Sequence, residues 1–203
     1  MSQSHSTAPD GIIRSAELRA AGMSGYAVSA RCRPSGPWRR VLPGVVLMGT
    51  GPPTRRQWLR AAIAYAGPGA VLTGADALCL QGIEVPRPAD VLVLMPAARR
   101  AAGRPRLIVE RTTRPPEPVW REGLPLAPVV RATADAARRE HDHDRLRALL
   151  LAPVLAGACT IPELLAELTA GSQRGTAAAR GLLLDRSTGH QYSSGSLPSM
   201  SRT

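Results

Sequence analysis

The chain has 203 residues, 44% hydrophobic and 20% charged, which is apolar enough for a packed core and excludes wholesale disorder. Its net charge of +11 is carried by arginine alone, since lysine is absent, as are phenylalanine and asparagine. The three cysteines, Cys32, Cys79 and Cys159, are widely spaced and form no CxxC pair, which excludes a zinc ribbon and a disulfide framework and points to the cytoplasm.

Residues 1–9 read as a disordered lead without the apolar segment of a signal peptide. After Gly11-Ile12-Ile13-Arg14, Ser15 is a candidate N-cap for a short helix that Gly22 stops. Ser24 caps a second helix, expected to reach Arg33 and to end at Pro34-Ser35-Gly36-Pro37. Trp38–Val41 and Val45–Met48 then read as two strands around the turn Leu42-Pro43-Gly44. Helix, helix, hairpin is the element order of a winged helix.

Thr50–Pro53 reads as a linker. Thr54 caps a helix running to about Ala66, broken by Gly67-Pro68-Gly69, and Gly74–Gln81 suits another. Trp58 and Tyr65 lie seven apart on one helix face and read as core residues. Asp90–Met95 and Arg106–Arg111 are the clearest strands, joined by the basic loop Ala97–Gly103, while Thr112–Leu126 is proline-rich and reads as irregular. Helices are expected over Pro128–Arg139, Asp142–Leu151, Ile161–Ala170 (after a capping box from Thr160 to Glu163) and Thr176–Leu184. Arg186–Thr203 is serine-rich and free of alanine, which predicts a disordered tail; a frameshift would leave the same mark. The expected fold class is α+β. An N-terminal winged helix-turn-helix over 10–50 precedes a small mixed α/β domain over 54–185 that ends in helices. The apolar stretches Ala61–Leu80 and Leu146–Cys159 are interrupted by glycine, proline or charge, so no membrane span is expected.

Charge is unevenly spread. Residues 1–60 hold nine Arg against two acids, whereas the remainder is close to balance. A basic head on a near-neutral body suits a polyanion, and the element order narrows this to double-stranded DNA. In the second helix Val28 and Cys32 share a face, which should pack on Leu18 and Met23. Tyr26, Ser29, Ala30 and Arg33 then point outward, giving an apolar side to hold the helix and a donor-bearing side for bases and phosphates. Arg14, Arg33, Arg39 and Arg40 are candidate phosphate contacts, and Ser24, Tyr26 and Ser29 candidate base or sugar contacts. Because neighbours on a strand point to opposite faces, only one of Arg39 and Arg40 can follow a given phosphate track.

Other chemistry is weaker. His141-Asp142-His143-Asp144 resembles a metal cluster, but no distant third histidine completes it, and an aspartate there suits the N-cap of the following helix. Gly67, Gly69 and Gly74 are not followed by Gly-Lys-Ser/Thr, and no nucleophile elbow or Ser-His-Asp set can be drawn. No catalytic residue, metal or cofactor is therefore expected. With no lysine for the usual metal-plus-lysine arrangement, nuclease activity is not expected either.

Several stretches, taken in order, resemble a known family. The run Gly11-Ile-Ile-Arg-Ser-Ala-Glu-Leu-Arg-Ala-Ala-Gly-Met-Ser24 is similar to the opening helix-turn-helix of AbiEi-type antitoxins of type IV toxin–antitoxin systems, and Trp38–Leu47 to that family's wing. Thr54–Ala61, Gly67–Gly74 and Gly123–Arg131 continue the resemblance, which spans roughly residues 10–185. It implies an autorepressor that binds DNA through the winged helix and a following region that serves antitoxicity. A nucleotidyltransferase-like toxin or a second copy of the chain would be its protein partner. Many actinobacterial relatives continue into a domain similar to very-short-patch-repair endonucleases, and this chain is expected to lack it. Two departures stand out: Ser29 and Ala30 are uncharged where the family carries arginines, and the loop Pro34–Pro37 is about one residue longer. The expectation is thus a cytoplasmic DNA-binding regulator of the antitoxin type. The alternatives are a protein-binding antitoxin with a vestigial winged helix and a catalytically dead relative of the endonuclease.

Overall fold

The computed structural model describes residues 9–191. Among them lie eight helices and two sheets, an α+β fold with a winged helix-turn-helix at its N-terminal end. The chain divides into two units: residues up to Leu72 with Pro88–Leu126, and Thr73–Arg87 with the residues from Ala127 onward.

The first unit begins with β1 (Ile12–Arg14), α1 (Ser15–Ala20), α2 (Gly25–Arg31), β2 (Arg39–Leu42) and β3 (Val45–Leu47). Gly22, at φ +89°, ends α1. The Met23 N–H donates to the Leu18 carbonyl and the Gly22 N–H to the Arg19 carbonyl, a paired closure that needs the left-handed residue between them. It folds α2 back so that Leu18 and Val28 meet Val46 of the sheet, with Ile13, Met23, Cys32 and Trp38 packed around them. The predicted apolar face of α2 is this contact. Ser15, expected as an N-cap, does not cap: Arg14 occupies that position, and the buried Ser15 hydroxyl has no hydrogen-bond partner.

The strands form an antiparallel sheet in the order β1-β3-β2. All three residues of β3 are buried, so the sheet is covered on both faces. The second cover is α3 (Arg55–Ala66), which packs on β1, β2 and β3 and opens on a capping box between Thr54 and Gln57. The unit thus runs straight through Thr50–Pro53, the stretch expected as a linker. Asp10 ties the start of the described chain to α3: its carboxylate accepts from Arg56 (2.9 Å) and from Arg60, and the Gln57 amide donates to its carbonyl (3.0 Å).

The same unit contains β4 (Val71–Thr73) up to its last residue, which begins the second unit, and β5 (Val91–Pro96), β6 (Leu107–Thr112), β7 (Val119–Arg121) and β8 (Leu124–Leu126), in the order β6-β5-β4-β8-β7. The stretch 112–126, expected to be irregular, contains the antiparallel hairpin β7–β8. Glu122 and Gly123 turn it with φ of +50° and +71°, the pattern of a two-residue hairpin turn. Trp58 and Tyr65 are half-buried brackets rather than core residues. The Trp58 indole N–H donates to the Arg106 carbonyl (3.1 Å) and the Tyr65 hydroxyl to the Ala102 carbonyl (2.9 Å), which fastens the β5–β6 loop to α3.

The second unit is built from α4 (Gly74–Leu80), α5 (Val129–Ala137), α6 (His143–Leu155), α7 (Ile161–Ala170) and α8 (Ala177–Gln191). Ala134, Leu146, Leu150, Leu164, Leu168 and Leu183 lie in its core. Within it the Asp135 carboxylate accepts from the Thr73 hydroxyl (2.8 Å), Arg131 Nε (2.9 Å) and Arg138 Nη1 (3.0 Å). Two helices outrun their expected ends. α6 continues past Leu151 through Pro153, and α8 continues past Leu184 into the span expected as a disordered tail. Ala179 and Leu183 of α8 share the core of α6 and α7, and the helix runs on to Gln191 although Gly189 disfavours it. The expected tail beyond Gln191 and the expected lead over residues 1–8 lie outside the described residues.

Candidate nucleic-acid interface

Ser24 caps α2, its hydroxyl accepting from the Ala27 N–H (3.1 Å). That bond fixes the helix start and commits part of the hydrogen-bonding capacity of Ser24 to the fold. On the far side of α2 from Val28, Tyr26 is 76% exposed and Ser29 is exposed. Arg33 lies just past the helix end and is exposed as well. The loop after α2 folds back on the helix, with the Trp38 N–H donating to the Arg31 carbonyl (3.0 Å). A Cβ on Gly36 would stand 2.1 Å from that carbonyl oxygen, so glycine is required there.

The wing strand joins this face through Arg40, whose Nη2 donates to Ser29 Oγ (3.0 Å). Strand register explains which arginine does so. Arg40 lies opposite Val46, whose side chain faces α1 and α2, whereas Arg39 lies opposite Leu47 on the other side of the sheet. The alternation expected for this pair is therefore realised. Arg14 parts from the group for the same reason. Ile13, paired with Val46, belongs to the core under α1 and α2, so its neighbour Arg14 is directed to the α3 side. The structure thus joins Arg40 to Ser29, leaves Ser24, Tyr26 and Arg33 exposed on α2 or at its ends, and sets Arg14 and Arg39 on the other side of the sheet.

The sequence reading missed Arg31. Its guanidinium lies 5.3 Å from the centre of the Trp38 ring, and its Nη1 donates to the Ala27 carbonyl (3.4 Å). The signal was present, since a tryptophan directly after a Pro-Ser-Gly-Pro turn can fold back on the helix that precedes the turn. Arg31 is thus held over Trp38, on the side of α2 away from Ser29 and Arg40. The face offers hydroxyls, a phenol and arginines over a closed apolar core. It can donate to phosphates and to base edges, and it contains no nucleophile with an activating base.

In the second unit, Asp142 Oδ1 caps α6 by accepting from the Arg145 N–H (2.9 Å), and Glu140 accepts from the backbone of His141 and Asp142. Among the described residues no group of three or more His, Cys, Asp or Glu is placed to hold a metal ion. No helix among them is long and apolar enough to cross a membrane.

No protein-family model and no curated protein matches the chain. Among solved structures, the crystal structure of the Rv2827c protein from Mycobacterium tuberculosis is similar. The match has 18% identity and a TM-score of 0.55, and covers 85% of this chain and 71% of that one. A likeness at that identity speaks for the fold alone.

Proposed function

We propose that the protein is a DNA-binding transcriptional regulator of the AbiEi antitoxin type, which docks α2 in the major groove of double-stranded DNA in its own promoter. The observation that carries this reading is the bond of the wing residue Arg40 to Ser29 of α2, beside the exposed Tyr26 on the outward side of the same helix, with the exposed Arg33 just past its end. A recognition helix with outward polar side chains, backed by a basic wing, suits base readout from the helix and phosphate contact from the arginines. The concentration of positive charge in residues 1–60 supports the same docking. Three free cysteines among the described residues support a cytoplasmic setting. The antitoxin assignment rests on the sequence resemblance, and its partner would be a nucleotidyltransferase-like toxin.

The test is a titration of the protein on its upstream DNA and on a scrambled duplex. Upstream DNA is expected to bind at least tenfold more tightly, and replacement of Tyr26 and Ser29 by alanine to erase most of that preference. Equal affinity for both duplexes removes the regulator assignment and favours a protein-binding antitoxin. Co-expression with the product of a neighbouring nucleotidyltransferase-like gene tests antitoxicity separately.

A further inference from the structure

The α3 side of the winged sheet opens on a cavity of ≈ 600 Å³ within the first unit, a size suited to a small molecule. Ile63 of α3, the turn Gly67–Gly69, Pro96, the segment Pro115–Pro118, Trp120 and Pro125 line it, together with Arg14. Proline dominates the wall, and proline has no N–H to donate. Gly69, at φ +77°, brings the turn against Pro96: a Cβ there would stand 3.0 Å from the proline ring, so the wall is shaped by a residue that only glycine supplies. Trp120 is 62% exposed at the cavity, an unusual setting for so large an apolar surface.

Arg14 is the cation of this wall. It is half-buried, and among the described residues no group accepts a hydrogen bond from its side chain or pairs with it. A partly desolvated guanidinium without a partner is costly, and a carboxylate in bidentate contact relieves that cost. The one carboxylate on the lining, Glu117, is exposed on the proline segment and does not pair with it. Proline rings and an indole favour a flat aromatic body, and Arg14 favours an anionic group at one end of it.

We propose that this cavity is a binding site for a small aromatic carboxylate, held by Arg14 at its acidic end and by Trp120 and the prolines along its ring. The site also has a route to the DNA-binding face. Arg14 is the last residue of β1, pairs with Val45 of β3, and is followed directly by the first residue of α1. A ligand seated on Arg14 acts on the joint between the sheet and the helix-turn-helix, and so alters DNA affinity. This coupling rests on the regulator reading above, whereas the binding itself does not.

The experiment is isothermal titration calorimetry of the full chain with 2-naphthoate and with its uncharged analogue 2-naphthamide. The expected result is one naphthoate per chain, with naphthamide about tenfold weaker or more. Arg14→Gln should weaken naphthoate by about the same factor and leave naphthamide unchanged, and Trp120→Ala, at an exposed position, should weaken both. No heat with naphthoate, equal affinity for the two probes, or indifference to both substitutions overturns the site. Adding saturating naphthoate to a DNA titration then tests the coupling: unchanged DNA affinity overturns it while leaving the site standing. If the protein binds no DNA, the regulator reading fails and the calorimetry still decides the site.

Discussion

Arg39 and Arg40 are neighbours in sequence with opposite expected roles in DNA binding, and the salt dependence of binding separates them. Arg40 stands on the α2 side of the sheet, bonded to Ser29, while register turns Arg39 to the α3 side. Each phosphate neutralised contributes about −0.9 to the slope of log affinity against log salt. If Arg33 and Arg40 each meet a phosphate, one protomer has a slope near −1.8, an affinity loss of about 12-fold between 50 and 200 mM salt. Arg40→Gln should halve the slope, so that the loss falls to about 3.5-fold, and should weaken binding alike on all sequences. Arg39→Gln and Arg14→Gln should leave the slope unchanged. A symmetric dimer doubles each exponent without changing the contrast. Fluorescence anisotropy on a labelled upstream duplex at four or five salt concentrations measures all of this. Equal reductions from Arg39→Gln and Arg40→Gln, or a reduction from Arg39→Gln alone, would refute the assignment of faces by strand register.

Three further outcomes follow from buried or paired groups. Asp135→Ala removes the buried carboxylate that Arg131 and Arg138 share and leaves them the longer contacts to Glu167 (3.5 Å each), and should lower unfolding free energy by about 3 kcal/mol in urea denaturation; a loss below about 1 kcal/mol contradicts the network. The Arg60 hydrogen bond and the pull of Arg56 hold the Asp10 carboxyl below its usual value of 3.8, so its contribution is present above that value and is lost as pH falls through the lowered one. Asp10→Asn should therefore lower the melting temperature at pH 7, by an amount worth about 1 kcal/mol at most for so exposed a site, and the gap to the unmodified protein should close in acid; a gap that persists at pH 2 contradicts this. Burial, and secondarily Glu163, pushes the Cys159 thiol up to about 11, so iodoacetamide at pH 8 should modify Cys32 and Cys79 while sparing Cys159 in the folded protein, as peptide mass mapping would show.

Elements with a clear periodicity or a strong cap were legible in the sequence. Thr54, Asp142 and Thr160 cap the helices that they announce, and the apolar run Val91–Met95 forms a fully buried strand. Of the three-residue strands only β3 was legible, announced by the apolar run Val45–Leu47 after a Pro-Gly turn. β1, β4, β7 and β8 are too short for an alternation to show, and Pro125 inside β8 argues against a strand although its neighbours Leu124 and Leu126 are buried and paired. At the candidate interface, the outward residues of α2 could be read from helical spacing around Val28. Which of Arg39 and Arg40 joins that face, and that Arg14 leaves it, could not, because both depend on which residues of β1 and β2 lie opposite Val46. The role of α3 as the second cover of the winged sheet was equally hidden. The run Val45–Leu47 shows that both faces are buried, but not by what.

The central claim, that the α2 face meets DNA, is tested most directly by titrating 15N-labelled protein with its upstream duplex and following the backbone amides. Shifts are predicted to concentrate at residues 24–33 and at Arg40, with amides of α5 to α8 unmoved. Shifts centred on the lining of the proline-walled cavity or on the second unit, or none at all at saturating DNA, would contradict it.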